Sequence, residues 1–272
     1  MRLDLVLPAH NEEQRIDRTL HAYRAALPPE GTRIWVALDG CVDGTAAIVR
    51  RHASDDSRIG WVEFPKLGKG GVLMESFRWC ADGDADLIAF VDADGATPPA
   101  ELMRLIRTVE AGADAAIASR RHPSSVSLGQ RSLARRLTSA GFAFGVRRLF
   151  GVPFSDTQCG AKVMSAQLVR RVAPFLSSRD FLFDVDILHT ARHLGFGVVE
   201  VPTVWIDQAG SRLNAGSDAR RMLWSSLRLW MHHRVIPVEG QRTDVVRRRS
   251  PMCDRGVSGI DLREHTVADV AS

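Results

Sequence analysis

The sequence predicts a doubly wound α/β fold, and three observations support this fold class. Short apolar runs alternate with longer segments of helical periodicity from residue 2 to about residue 118. The runs and the segments between them amount to five strands joined by four crossovers. With 272 residues, of which 45% are apolar and 25% charged, the chain is long enough to bury a full core. We therefore expect one domain built around one sheet.

The first half supplies the regular part of this sheet. Its apolar runs predict strands at residues 3–7, 34–38, 59–64, 87–91 and 115–118. Its helical segments are residues 12–26, 44–52, 71–80 and 99–110. The last of these helices opens with prolines, which a first helical turn tolerates.

The second half is less regular. It predicts helices at residues 128–150, 166–175, 184–194 and 218–234, and a strand at 198–206. Core packing explains most of the apolar surface of the helix at 218–234, but a basic helix with two tryptophans is also compatible with a membrane surface. Because periodicity is lost from Val238 onward, residues 1–236 are assigned to the domain and 237–272 to a disordered, basic and polar tail with no catalytic role.

Composition excludes several classes of protein. The longest uncharged run, residues 137–146, has ten residues, whereas roughly 18 are needed to cross a bilayer. The N-terminus lacks the apolar segment of a signal peptide, so we expect a cytoplasmic protein, with peripheral association at the inner face of the membrane as an extension. The four cysteines show no paired spacing and argue against a zinc site or disulfide framework. The basic residues lack interleaved aromatics, which argues against nucleic acid as a partner.

Arginine is concentrated in one acid-free segment, which suggests a phosphate-binding surface. Seven arginines lie between residues 119 and 148, where no Asp or Glu occurs: Arg120, Arg121, Arg131, Arg135, Arg136, Arg147 and Arg148. Such a patch suits phosphate on a small molecule, a nucleic acid or a lipid headgroup. Arg120 and Arg135 are the predicted phosphate ligands, because a guanidinium fork matches phosphate geometry. Surface solvation remains the alternative for any single arginine.

Polar residues follow four of the five predicted strands. The segments are PAHNEE from Pro8, DGCVDGT from Asp39, DADGAT from Asp92 and SRR from Ser119. In open α/β sheets, ligands bind outside the carboxyl ends of the strands, so these segments are expected to converge. Helix capping is the alternative role for Glu12 and Asp43, but it does not account for the convergence.

Asp92 and Asp94 are the predicted metal ligands. They follow the buried strand at 87–91 directly, and two carboxylates there suit a hard divalent cation, Mg²⁺ or Mn²⁺, that bridges to diphosphate oxygens. The loop at residues 67–71, LGKGG, offers close backbone approach and the Lys69 ammonium at a helix start, where phosphate is favoured. A turn without function is the alternative for this loop.

Together these motifs resemble family 2 glycosyltransferases, and within that family the dolichyl-phosphate and other polyprenyl-phosphate sugar synthases. The segments that carry the resemblance are PAHNEE, DGCVDGT, KLGKGG, FVDADGATPP, ASRRH, SDTQCGAKVM, FLFDVDIL and AGSRL, spread over residues 3 to 235. The resemblance implies a GT-A fold, the mixed, Rossmann-like sheet of nucleotide-diphospho-sugar transferases.

The resemblance also implies roles for individual residues. Pro8, His10 and Glu12 are implied to line the nucleotide site, with Asp92 near ribose and diphosphate and Asp94 as principal metal ligand. Phosphate contacts are implied for Arg120, Arg135 and Arg212. We also expect Asp39, Lys69 and Lys162 to contact the substrates. Two positions depart from the family's pattern. Leu38 precedes Asp39 where paired aspartates are frequent, and Ala96 cannot supply the side-chain ligand that some relatives have there. The nucleotide base contact and the completeness of the metal shell are therefore open.

Three functions are compatible with these motifs. The first is inverting transfer of glucose from UDP-glucose to a polyprenyl phosphate at the cytoplasmic membrane face. That acceptor arrives largely ionised and needs little help from a base, because its second pKa is about 6. The second is transfer to a soluble hydroxyl, which requires a base such as Asp184 or Asp186, although helix capping explains Asp184 equally well. The third is a nucleotidyltransferase or a noncatalytic nucleotide-sugar-binding module. Nucleotidyltransferases usually have a glycine-rich, arginine-containing loop right after the first strand, where this chain has PAHNEE.

Overall fold

A computed structural model describes residues 1–128, 133–208, 215–235 and 260–261, with side chains described except at 133–140, 215–223, 235 and 260–261. The strands are Leu3–Ala9 (β1), Thr32–Asp39 (β2), Ile59–Phe64 (β3), Leu87–Val91 (β4), Ala115–Ser119 (β5), Val126–Leu128 (β6), Ala161–Ser165 (β7), Val198–Pro202 (β8), Val204–Ile206 (β9) and Ile260–Asp261 (β10). The helices are Ile16–Ala26 (α1), Thr45–Asp55 (α2), Lys69–Asp82 (α3), Pro99–Glu110 (α4), Leu133–Phe150 (α5), Ala166–Val172 (α6), Phe183–His193 (α7) and Ala215–Val235 (α8).

Most of these strands form one mixed sheet in the order β10, β3, β2, β1, β4, β7, β5, β8. Strands β3, β2, β1 and β4 are mutually parallel, as the helical crossovers between them require. Strand β7 is inserted antiparallel between β4 and β5. Strands β6 and β9 form a separate parallel pair. The predicted α/β fold class is confirmed.

The sequence missed β7 and misplaced some boundaries. Strand β7 has Lys162 as its second residue and ends at Ser165, so no continuous apolar run marks it. The helix predicted from residue 128 begins at Leu133, because residues 126–128 form β6. The strand predicted at 198–206 is two strands separated at Thr203. The predicted tail, 237–272, lies outside the described residues apart from β10, so the domain boundary stays a prediction.

Apolar side chains pack on both faces of the sheet and bury β4 between them. Along β4, Ile88 and Phe90 belong to the core beneath α3, α6 and α7. Their neighbours Leu87, Ala89 and Val91 belong to the core beneath α1 and α4. All five residues of β4 are buried, as expected of a strand covered on both faces. The loop that follows β4 therefore begins from a fixed point.

Helix α1 holds the loop that follows β4. The Thr19 hydroxyl donates to the Ala93 carbonyl at 3.0 Å, and the Tyr23 hydroxyl donates to the Thr97 carbonyl at 2.8 Å. Both contacts are buried, where a hydrogen bond is costly to leave unmade. They fix the backbone of residues 93–97 on the side where β1 and β4 end.

Candidate active site

A cleft of about 280 Å³ opens at the carboxyl ends of β1, β2 and β4. Its lining residues are Pro8, Ala9, His10, Glu12, Asp39, Lys66, Lys69, Val72, Asp92, Ala93 and Asp94. The structure thus brings together seven residues that were predicted for the site, from four separate segments. Lys66 was not predicted, although the KLGKGG segment contains it.

Asp92 is the first residue after β4 and pairs with Lys69, the first residue of α3. The Lys69 Nζ lies 2.5 Å from the Asp92 Oδ1. Both side chains are partly exposed to the cleft. Burial opposes the charge of Lys69, but the carboxylates of Asp92 and Asp184 outweigh it and raise the pKa of the ammonium above its ordinary value. Lys69 is therefore a permanent positive charge in the cleft.

Asp94 lies two residues further on and, like Asp92, is partly buried. Its Oδ1 accepts a hydrogen bond from the Ala96 N–H at 2.9 Å. Burial, and then the neighbouring charge of Asp92, raise the pKa of Asp94. A carboxyl in this position gains from a nearby cation, which would offset both effects.

The donor set at this point fits a hard divalent cation. Asp92 and Asp94 offer only carboxylate oxygens, which Mg²⁺ and Mn²⁺ prefer. Among the residues that the structure describes, no three His, Cys, Asp or Glu side chains form a group that could enclose a metal ion. A cation here would complete its shell with water and ligand oxygens, as Mg²⁺ commonly does.

The loop after β1 is fixed to the loop after β2. His10 Nδ1 lies 2.6 Å from the Asp39 carbonyl, and the Glu12 N–H donates to the Thr45 hydroxyl at 2.8 Å. The Glu12 carboxylate pairs with Arg15 at 2.6 Å, and burial raises its pKa despite that partner. The loop therefore presents His10 and Glu12 to the cleft in fixed positions.

Asp39 organises the loop that leads into α3. Its Oδ1 accepts hydrogen bonds from the backbone N–H groups of Leu67 and Gly68 at 2.6 and 3.0 Å, and its Oδ2 pairs with Lys66 Nζ at 2.6 Å. Beyond it, Gly70 lies so close to the Asp180 carbonyl that no side chain would fit there. Asp39 thus sets the path of the KLGKGG segment, and its contact with a nucleotide base stays a prediction.

Of the three predicted phosphate-binding arginines, Arg120 alone has a described side chain, and it is not among the residues that line the cleft. Arg120 donates to both carboxylate oxygens of Asp156 at 2.6 and 2.8 Å and stacks over the Trp205 ring, 5.0 Å from its centroid. The pKa of Asp156 is lowered because this guanidinium outweighs the effect of burial. Only the backbone of Arg135 is described, in α5, and Arg212 lies outside the described residues.

Lys162, Asp184 and Asp186 are buried and are not among the residues that line the cleft. The fully buried Lys162 Nζ pairs with Asp184 Oδ1 at 2.6 Å and donates to the Cys159 carbonyl at 2.8 Å. Asp186 Oδ2 accepts from the N–H groups of Ser177 and Ser178, each at 2.8 Å. Its Oδ1 lies 2.8 Å from His233 Nε2 in α8. All three side chains are occupied by internal partners, so they support the fold around the cleft.

Residues 4–172 match glycosyl transferase family 2. A dolichyl-phosphate beta-glucosyltransferase of Dictyostelium discoideum is 30% identical over 84% of this chain and 73% of its own length. An undecaprenyl-phosphate mannosyltransferase of Micrococcus luteus is 28% identical over 76% of this chain and 85% of its own length. The glycosyltransferase AglD of Haloferax volcanii is 30% identical over 90% of this chain, which spans only 40% of that relative's length.

Solved structures share the fold. The glucosyl-3-phosphoglycerate synthase from Mycobacterium tuberculosis, in complex with Mn²⁺, UDP and glucosyl-3-phosphoglycerate, superposes with a TM-score of 0.62 at 17% identity. The match covers 87% of this chain and 81% of that one. Neighbours of this kind are GT-A glycosyltransferases, so the predicted GT-A fold is confirmed.

Replacing Lys162 by methionine is expected to lower the free energy of unfolding by about 3–5 kcal/mol, because the Asp184 carboxylate stays buried without its counterion. Urea denaturation measures the change. The matched control is the double variant Lys162→Met with Asp184→Leu, which removes both charges and should recover most of the loss. A Lys162→Met protein as stable as the parent would show that the ion pair between Lys162 and Asp184 does not contribute to the free energy of unfolding.

Proposed function

The chain belongs to glycosyl transferase family 2, and we propose that it transfers glucose from UDP-glucose to a polyprenyl phosphate with inversion at the sugar carbon. The observation that carries the proposal is the meeting of Asp92, Asp94 and Lys69 at the end of β4. Relatives named for dolichyl-phosphate and undecaprenyl-phosphate acceptors support the class of acceptor. Relatives named as glucosyltransferases support the sugar.

The cleft has carboxylates that could bind a metal ion and ammonium groups that could face the donor's diphosphate. Asp94, with Asp92 beside it, would hold Mg²⁺ or Mn²⁺, which when bound offsets the negative charge that develops on the departing diphosphate. Lys69 and Lys66 add two ammonium groups to the same wall of the cleft. Lys69 also opens α3, whose N-terminal N–H groups favour an anion. These charges are in place before the reaction begins, so they can stabilise the charge that develops on the diphosphate without rearranging.

A phosphate acceptor fits the site better than a soluble hydroxyl. A hydroxyl acceptor requires a base within hydrogen-bond reach. The two carboxyls proposed for that task, Asp184 and Asp186, are buried and bonded to Lys162 and to Ser177 and Ser178. A lipid monophosphate is already ionised at neutral pH because its second pKa is about 6. The family assignment to glycosyltransferases leaves no support for a nucleotidyltransferase or a noncatalytic module.

Helix α8 offers a surface for the membrane that holds such an acceptor. Its outward side exposes Trp224, Leu227 and Met231 at helical spacing, with Trp224 72% exposed. Arg228 and Arg234 are exposed on the same helix. None of the described helices is both long and apolar enough to span a bilayer. An apolar face with arginines beside it suits an anionic lipid surface, where the helix would lie in the plane of the interface.

Incubation of the purified protein with UDP-glucose, Mg²⁺ and a polyprenyl phosphate is expected to yield a lipid-linked glucose. Thin-layer chromatography of the organic phase and mass spectrometry identify the product and the anomer. Parallel reactions with GDP-mannose and with a soluble alcohol acceptor test the sugar and the acceptor. Hydrolysis alone, or transfer only to the soluble alcohol, would contradict the proposed acceptor.

Asp94→Asn is expected to lower kcat/KM by at least about 100-fold, because the carboxylate charge that would bind the metal ion is lost. The thermal shift that UDP produces in the presence of Mn²⁺ should fall with it, since ligand binding stabilises the folded state by mass action. Asp55→Asn, at an exposed aspartate that ends α2, is the matched control. Retained turnover with unchanged Mn²⁺ dependence in Asp94→Asn would contradict the placement of the metal ion at Asp94.

Replacing Trp224 and Leu227 together by serine is expected to weaken binding to phosphatidylcholine and phosphatidylserine vesicles by at least about tenfold, because two exposed apolar groups no longer enter the interface. Vesicle sedimentation measures the bound fraction. Val199→Ser, at an exposed apolar residue of β8, controls for a general loss of apolar surface. Equal vesicle binding by the double variant and the parent would exclude this face of α8.

A further inference from the structure

Gly160 lies directly opposite Asp92 across the antiparallel pair β4 and β7. Val91 faces Ala161 in this pair, so the next two residues, Asp92 and Gly160, face each other just beyond the strand ends. The Asp92 N–H donates to the Gly160 carbonyl at 2.9 Å, which extends the pairing by one step. Opposite residues of antiparallel strands direct their side chains to the same side of the sheet. A side chain at position 160 would therefore lie next to the Asp92 side chain, and glycine leaves that space open.

The Asp92 carboxylate occupies the space that this missing side chain leaves. A Cβ atom added to Gly160 would overlap Cγ and both carboxylate oxygens of Asp92. The backbone of Gly160 is not in the left-handed region, so other residues could adopt its conformation. By contrast, a Cβ added to Gly145 in α5 would meet nothing within 4 Å. The requirement for glycine at position 160 is thus one of space.

From this space the carboxylate reaches Lys69. Asp92 Oδ1 lies 2.5 Å from the Lys69 Nζ, and the first turn of α3 that carries Lys69 is held by the close approach of Gly70 to the Asp180 carbonyl. The carboxylate that makes this contact is the one that lies across Gly160. Lys69 then keeps about a third of its side chain open to the cleft.

We propose that Gly160 is a positioning residue for the donor: it seats the Asp92 carboxylate, and the seated carboxylate holds the Lys69 ammonium where it faces the donor's diphosphate. The identity of the ligand rests on the proposed function. The seating of Asp92 rests on the contacts of these three residues alone.

A double-mutant cycle in thermal stability tests the seating without any activity. Gly160→Ala is expected to lower the melting temperature by roughly 4 °C or more when Asp92 is present. In the Asp92→Ala background the same substitution should change it by less than about 1 °C, because the group that the methyl meets is gone. Equal effects in the two backgrounds would overturn the proposal. So would failure of Gly160→Ala to fold in both, since the methyl would then meet something other than Asp92.

The same cycle in steady-state kinetics tests the link to the donor. Gly160→Ala should lower kcat/KM by about tenfold or more, mainly through a higher KM for UDP-glucose, and by less than about twofold in either the Asp92→Ala or the Lys69→Met background. Gly145→Ala, at an open position of α5, is the control that should leave kcat and KM unchanged. Additive kinetic losses with intact transfer would reject the role of Gly160 alone. Absence of transfer in the parent would reject the proposed function while the thermal cycle still decides the seating.

Discussion

The ion pair between Asp92 and Lys69 is the contact on which the cleft depends. It joins the end of a strand buried on both faces to the first residue of the helix that follows β3. Asp94 follows Asp92 by two residues and Lys66 precedes Lys69 by three, and all four side chains line the same cleft. Both members remain partly exposed, so a ligand can reach the pair.

The charged residues around this pair fall into two groups with different physical roles. Those inside the protein are matched one to one, as Lys162 with Asp184 and Arg120 with Asp156. Buried pairs of this kind add little net stability, but breaking one is costly, so they specify a single arrangement of the loops they join. Asp94 is different, because burial and Asp92 raise its pKa and favour a cation beside it. In the cleft, unlike in the interior, the carboxyl of Asp94 is placed where a bound cation would be favoured.

The sequence was sufficient to predict where the cleft lies, because carboxyl ends of parallel strands share one edge of a sheet. Pro8, Asp39 and Asp92 were found by that rule. It could not predict partners that come from distant segments. Lys162 and Asp184 are 22 residues apart and pair across β7 and α7, and a polar residue in an apolar segment looks the same whether it faces a ligand or an internal counterion. Lys162 also hid β7, whose antiparallel insertion no local pattern marks.

The most direct test of the account is a crystal of the protein soaked with UDP and MnCl₂, measured at a wavelength where manganese scatters anomalously. The account predicts one strong anomalous peak within bonding distance of an Asp94 carboxylate oxygen, with the diphosphate of UDP between that peak and Lys69. A structure with UDP bound in the cleft and no manganese at Asp94, or with the diphosphate directed away from Lys69, would contradict it.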